Sequence, residues 1–284
     1  MRGVLYKYMY MTMIKQITTL AITAAALLMS CGMSNKQQAT SDTTPSTVSQ
    51  SKNVVAAQYD FRVADTHPHS ATSYTQGLQY VDGVMWEGTG REGKSHLQRI
   101  DLTTGKCDIV ASLPKTEFGE GITHHNDRIY QLTWTEEKAY VYDRNGNKIK
   151  TIPYHGEGWG ITSNGEQLYM SDGSASIRKV NPDTFATEGI INVTLNNMTL
   201  DLINELEWID GSIWANIYLS DIIVEIEPKS GCVVGYVDLS PLRTLLKNNP
   251  EAEALNGIAY NPATRNLYVT GKDWNTLFEI EIYK

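Results

Sequence analysis

Three cysteines in 284 residues are too few for a disulfide framework. The six histidines, His67, His69, His96, His124, His125 and His155, form no helix-borne pair and no Cys/His set with zinc spacing. Among them, His124-His125-Asn126-Asp127 reads as a solvated hairpin turn. The chain is read as lacking a Gly-x-Ser-x-Gly elbow, a phosphate loop and a dinucleotide fingerprint, which sets aside serine-hydrolase, nucleotide-hydrolase and Rossmann chemistry. The apolar segment at residues 17–29 is too short to span a bilayer as a helix. Positive charge is in deficit, with 24 Lys and Arg against 32 Asp and Glu.

The N-terminal segment deepens that deficit. Lys15 precedes the apolar segment, which closes on Leu28-Met29-Ser30-Cys31. Those are signal-peptide proportions, and a small residue before a cysteine resembles a bacterial lipoprotein cleavage site. Residues 1–30 are expected to be removed and Cys31 lipidated; an ordinary signal peptide with an incidental cysteine is the alternative. Residues 31–53 are Ser-, Thr- and Gln-rich with little apolar content and read as a flexible tether. Loss of residues 1–30 removes Arg2, Lys7 and Lys15 and no acid, leaving 21 basic against 32 acidic residues, a net −11. That sign argues against nucleic acid and against electrostatic docking on a membrane. The expectation is a monomer in the bacterial cell envelope, held to a membrane by its lipid alone.

Repetition is what the chain has in plenty. Thr75-Gln76-Gly77-Leu78, Gly119-Glu120-Gly121-Ile122, Gly158-Trp159-Gly160-Ile161, Ile203-Asn204-Glu205-Leu206 and Leu255-Asn256-Gly257-Ile258 each open a run that reads strand, turn, strand, turn, strand. Their second residues lie 44, 39, 45 and 52 positions apart, as diverged repeats would. Short-strand repeats of this length point to a propeller. The predicted fold is all-β, a five-bladed β-propeller over residues 54–284. A strand at residues 55–64 should close it by pairing with residues 277–282, hiding two sheet edges. Residues 240–248, with Pro241 near the start, read as a helical surface insertion between the last two blades. Cys107 and Cys232 fall at matching places in the first and fourth units, beyond disulfide reach, and should be unpaired.

Two registers emerge from the repeats. The second residue of each unit is Gln76, Glu120, Trp159, Asn204 or Asn256, on the strand that would line a central channel. In the second strand an aromatic follows an aliphatic residue each time, and four positions later stand Gly90, Trp134, Gly173, Tyr218 and Lys272. Glu120 is the one carboxylate of its register. Among Phe118, Trp134 and Trp159 it should be desolvated, so that its pKa rises and it can accept and donate a proton. The competing role is a structural hub bonded to backbone amides or to an axial ion. Lys272, beside Asn204, could support charge on a carbonyl oxygen, or could be spent in an ion pair with Glu120. Trp134 and Trp159 suit a pocket wall, whereas Trp214 suits the core.

These residues match a known pattern. Tyr74-Thr75-Gln76-Gly77-Leu78, Phe118-Gly119-Glu120-Gly121, Gln131-Leu132-Thr133-Trp134, Glu157-Gly158-Trp159-Gly160, Asn204-Glu205-Leu206-Glu207, Trp214-Ala215-Asn216, Leu255-Asn256-Gly257-Ile258 and Val269-Thr270-Gly271-Lys272 together resemble the plant-type glutaminyl-peptide cyclotransferases, including their bacterial members. The likeness runs in order from Tyr59 to Ile280. It implies a five-bladed propeller that cyclises the N-terminal glutamine of peptides and proteins to pyroglutamate, with loss of ammonia and without a catalytic metal. It further implies Glu120 as proton shuttle, and Gln76, Asn204 and Lys272 as the polar pocket. Tyr74, Phe118, Trp134 and Trp159 would be its aromatic wall, with Tyr218 beside them. The sequence departs from the pattern at Tyr74, where Phe is frequent, and at Tyr218, where plant members commonly carry Trp; the second change bears on the shape of one wall. A structural calcium on the axis is compatible with the reading.

Two other functions stay open on the residues alone. A calcium-dependent lactonase-like propeller would use Glu120, Asn204 and Asn256 around a metal, but it lacks the usual aspartate in register and Lys272 would repel the ion. A non-catalytic envelope propeller that binds peptide or glycan would have no need of Glu120, Asn204 and Lys272 together.

Overall fold

The computed structural model describes residues 54–283; the leader, Cys31 and the tether lie outside the described residues. Strand β1 (Ala57–Pro68) comes first. Three four-stranded antiparallel sheets follow. The first holds β2 (Thr75–Val81), β3 (Val84–Thr89), β4 (His96–Ile100) and β5 (Cys107–Ser112). The second holds β6 (Gly119–His125), β7 (Arg128–Thr133), β8 (Lys138–Asp143) and β9 (Lys148–Pro153). The third holds β10 (Ile161–Ser163), β11 (Leu168–Met170), β12 (Ser176–Val180) and β13 (Thr187–Asn192). A small hairpin, β14 (Thr194–Leu195) and β15 (Met198–Thr199), leads to β16 (Ile203–Ile209), β17 (Ser212–Ile217), β18 (Ile222–Ile226) and β19 (Val233–Asp238). The chain ends with β20 (Leu255–Tyr260), β21 (Leu267–Gly271) and β22 (Thr276–Tyr283).

Strand β1 joins the last two groups into one eight-stranded sheet. It runs antiparallel to β22, from Asp60 opposite Tyr283 to Pro68 opposite Thr276. Its first residues lie parallel to β19, with Ala57 opposite Gly235. The pairing with residues 277–282 was expected; the second pairing, to β19, was not. One strand thereby covers the edges of two neighbours.

Burial explains why each strand reads as it does. Inner strands such as β7 and β17 are buried on both faces, whereas the outer strands β9 and β13 are mostly exposed and β5 half so. Apolar clusters form between successive sheets. Trp86, Ile122 and Ile129 pack the first on the second, and Leu132, Ile161 and Met170 the second on the third. Leu78, Met85, Tyr268 and Leu277 pack the last strands back on the first sheet. The innermost strands touch in the cyclic order β2, β6, β10, β16, β20 and again β2. The architecture is all-β and propeller-like.

Four readings need amendment. Residues 240–248 form only a 3-10 turn at Ser240–Leu245; it lies at the surface between β19 and β20 as expected, pinned by Leu242, which is fully buried in the cluster that holds Trp274. His124 and His125 are not a solvated turn: the turn is Asn126-Asp127, and His125 is buried. His124 bonds Gln79 at 2.8 Å, and burial pushes its pKa down to about 4. Finally, Gly88-Thr89-Gly90-Arg91-Glu92-Gly93-Lys94-Ser95 does spell a phosphate loop and a dinucleotide fingerprint. Both chemistries need a helix opening after the glycines. Here the segment ends β3 and leads into strand β4, so neither applies. Cys107 and Cys232 are free thiols.

Phe278 of β22 is fully buried, while Thr66, opposite it on β1, is exposed. Phe278→Ala is expected to lower unfolding free energy by about 3–5 kcal/mol, and Thr66→Ala by no more than about 0.5 kcal/mol. Urea denaturation of both variants checks the contrast; equal losses would mean that this strand is not held by its core face.

Candidate active site

The register of second residues works because the strands are bulged there. In β2, Thr75 faces Thr89 and Gly77 faces Gly88, so Gln76 has no partner. The ladder skips in the same way across Glu120 in β6, Asn204 in β16 and Asn256 in β20. A bulge leaves its residue unpaired and re-aims it. The other register is explained by ring packing. A Cβ on Gly90 would lie 2.5 Å from the Phe118 ring, and one on Gly173, whose φ is +80°, 2.6 Å from the Trp159 ring. The two glycines are the places where a neighbouring aromatic needs the space.

These devices bring Tyr74, Gln76, Phe118, Glu120, Trp134, Trp159, Asn204, Tyr218 and Lys272 around one cavity of about 240 Å³. They are the nine residues singled out from the sequence, and they come from every group of strands. Asn256 lies behind them, its Nδ2 donating to Thr75 O at 3.0 Å and Gln76 Oε1 at 3.3 Å. Trp214 is in the core. A larger groove of about 540 Å³ runs past Ile209, Tyr260, Arg265 and Ile282; it gathers none of the nine, and Arg265 is paired with Asp210 at 2.8 Å.

Glu120 is 4% exposed and, among the described residues, has neither a hydrogen bond nor an ion pair. Burial pushes its carboxyl well above the usual range; Lys272 pulls the other way, and Glu157 and Glu136 add to the rise. Lys272, also 4% exposed, is pushed down to about 8 by burial, against the charges of Glu120 and Glu253. Instead of pairing with a carboxylate, its Nζ sits 4.8 Å from the ring centres of both Tyr74 and Tyr218. The hub role weighed for Glu120 belongs to its neighbour in sequence pattern, Glu205, whose carboxyl accepts Leu78 N–H at 3.3 Å and Ile258 N–H at 2.9 Å. Of the axial side chains, Asn204 Oδ1 and Asn256 Oδ1 are buried without a partner. Even with the unpaired Glu120 carboxyl, these side chains supply fewer oxygens than the roughly 6–8 that calcium takes.

Three groups around the cavity were not foreseen as functional. Glu157 Oε2 accepts both Trp134 Nε1–H at 2.7 Å and Trp159 Nε1–H at 2.9 Å. Arg178 fixes that segment by donating to His155 O and Glu157 O. Arg91, at φ +83°, lies 4.2 Å over the Tyr74 ring and bonds both oxygens of Asp273, while Tyr74 Oη donates to Glu253. Beneath Gln76, Glu87 accepts from Thr75, Gln98 and His69 in full burial. Burial opposes charge on both, yet Glu87 and His69 hold each other ionised, the acid lowered and the imidazole raised. Of these, Glu157 alone stood within the motifs that carry the family resemblance.

A family model described as Glutamine cyclotransferase matches residues 25–282. The chain belongs to the glutamine cyclotransferase family. It is 37% identical over 228 residues to the glutaminyl-peptide cyclotransferase of Arabidopsis thaliana, covering 78% of this chain and 71% of that protein. It resembles the crystal structure of Myxococcus xanthus glutaminyl cyclase with a TM-score of 0.74 and 34% identity, covering 80% of this chain and 98% of that one. The cavity of this glutamine cyclotransferase family member is thus a walled pocket holding one unpaired acid and one cation.

The shared acceptor at Glu157 gives a direct test of the wall. Glu157→Ala should leave the melting temperature nearly unchanged, red-shift the tryptophan emission and expose Trp134, already 40% exposed, to acrylamide quenching. Unaltered emission and quenching would mean that the indoles are held by packing alone.

Proposed function

We propose that this chain converts the N-terminal glutamine of peptides and proteins to pyroglutamate with release of ammonia, on a five-bladed propeller and without a catalytic metal. The observation that carries the reading is the unpaired, buried Glu120 inside a pocket built from all the strand groups of a glutamine cyclotransferase family member. At about 240 Å³ the cavity is below the roughly 300–1,000 Å³ of small-molecule sites. It suits one terminal residue, with the rest of the peptide outside.

The reaction joins the α-amino nitrogen to the γ-carboxamide carbon and breaks that carbon's bond to the amide nitrogen. The substrate ammonium delivers its proton to Glu120, whose hold on a proton is strengthened by burial. The neutral amine attacks; Glu120 gives its acquired proton to the departing nitrogen, which leaves as ammonia, then takes the second proton from the ring nitrogen and releases it to solvent. Lys272 supports the oxyanion between these steps. Gln76 Oε1 is occupied by Asn256, so the Gln76 amide N–H groups are the part left for a carbonyl oxygen. Asn204 Oδ1, without a partner, is an acceptor for the substrate's N–H groups. The aromatic wall excludes water and holds the curled conformer that ring closure needs.

Incubation with a Gln-initiated dipeptide, with and without chelator, tests the reading through ammonia release. Turnover that persists in chelator supports it; absence of turnover sinks it, and loss by chelation overturns its metal-independent part by assigning a metal to the site. Glu120→Gln should lower kcat by at least about 10³-fold, beyond the typical 10²–10⁴ span's lower half for general acid–base loss, with the fold intact by circular dichroism. Lys272→Ala should lower kcat more than it raises KM.

The pH profile follows from the same groups. Rate should rise with pH as Glu120 ionises, then fall above about pH 8 as Lys272 loses its proton. Lys272→Arg, which stays protonated, should remove the alkaline limb whatever its effect on rate; a limb that stays would assign it to another group. Lipidation at Cys31 and an envelope location belong to the same proposal, supported by the leader, and labelled palmitate lost in Cys31→Ser is their check.

A further inference from the structure

The strand that closes the ring carries a second group of ligand-type side chains, sharing no residue with the cavity. Asp65 and His67 lie two apart on β1 and so share a face. Glu279 of β22 is directly opposite Asp65. Like charges placed opposite on antiparallel strands repel unless a cation lies between them. One ligand atom from each of the three lies within 4.8 Å of the others, the one such grouping among the described residues, and His67 Nε2 is 3.6 Å from Glu279 Oε2.

The surrounding bonds set these atoms for a metal. His67 Nδ1 lies 3.1 Å from Leu102 O. A carbonyl can only accept, so the ring proton is on Nδ1 and the neutral imidazole turns a lone pair out at Nε2. That Nε2 atom is buried and has no hydrogen-bond partner. A backbone carbonyl on the far nitrogen is how metal-binding histidines are oriented. Glu279 Oε1 is held by Asn266 Nδ2 at 2.7 Å, and Asp65 Oδ1 accepts Thr66 N–H at 2.8 Å, so each carboxylate has its second oxygen to offer. Leu102 lies in the turn after β4, and a Cβ on Gly105 of that turn would meet Pro68 O of β1 at 2.8 Å. The cluster therefore stands at the seam where β1, β22 and the first sheet meet.

We propose that Asp65, His67 and Glu279 form a zinc-type divalent-cation site that clamps this seam. One imidazole nitrogen and two carboxylate oxygens suit a borderline dication such as zinc, not calcium. Zinc bonds of about 2.0–2.1 Å in a tetrahedron put ligand atoms roughly 3.3 Å apart. His67 and Glu279 are near that spacing already, and the exposed Asp65 can close by side-chain rotation. The two carboxylate charges balance the ion, and water completes its shell.

The test uses chelator-treated full chain, zinc chloride, native mass spectrometry and thermal melting. One zinc per chain is expected, with Tm raised by about 5–10 °C when free zinc is a hundredfold above its Kd. Asp65→Asn and Glu279→Gln should each weaken zinc binding at least about tenfold and abolish the Tm response, while ammonia release stays as in the parent. His124→Gln, at another imidazole, should change neither. A parent chain that takes up no zinc overturns the proposal even if a variant misfolds, leaving His67 as an ion-pair partner of Glu279. Equal zinc uptake and equal Tm shifts in parent and both variants overturn it too, by placing the metal elsewhere.

Discussion

The antiparallel pairing of β1 with β22 is the constraint on which the rest of the structure depends. The last group of strands contributes only three of its own, β20 to β22, and would end in an open edge. Covering that edge with the first strand sets β20 beside β2 and so turns a row of sheets into a closed ring. Closure is what carries Lys272 to the ring of Tyr74, 198 positions earlier in the chain, and Asp273 to Arg91. A row of the same sheets, left unclosed, would hold Glu120 and the aromatics of the second and third groups but would lack the cation.

Within the ring, the acid and the cation are governed by burial more than by each other. Opposite charges in one cavity would ordinarily drive the carboxyl down and the ammonium up. Here desolvation is the larger influence on both, and it acts in the opposite sense, raising Glu120 and lowering Lys272. The two tyrosine faces beside Nζ supply a diffuse negative surface that does not take the proton. Glu120 is left without a partner, its carboxyl held well above the usual range. The buried Glu87–His69 pair shows the alternative outcome: the charge of His69, with direct hydrogen bonds from His69, Thr75 and Gln98, outweighs burial and keeps the carboxylate charged. Proximity and hydrogen bonding, not depth, separate a buried acid that is lowered from one that is raised.

Much of this was legible in the amino-acid order. The repeats, the closing strand and seven of the nine cavity residues follow from matched positions in short strands; Tyr74 and Phe118 came with the family resemblance. Departures from the order of residues have physical causes. The hub role, open to Glu120 as an isolated axial acid, falls to Glu205, one residue further along its own bulge, which takes up the amides of Leu78 and Ile258. His125 looked solvated because turn composition does not reveal that the neighbouring sheet covers it. Residues 88–95 carry the letters of a phosphate loop without the helix that would give them meaning. Arg91 and Glu253 left no trace, since each acts through partners about 160–180 positions away.

Alternation along strands, turn chemistry and the position of each bulge are local properties, and they repeat from unit to unit, so the primary structure alone settled the fold class and which side chains point inward. Distances across the axis are not local. Whether Lys272 met Glu120 or the tyrosines, which acid held the amides, and whether Asp65 came to lie against Glu279 were decided only when the ring closed, because burial and pairing free energies depend on neighbours that the order of residues does not name.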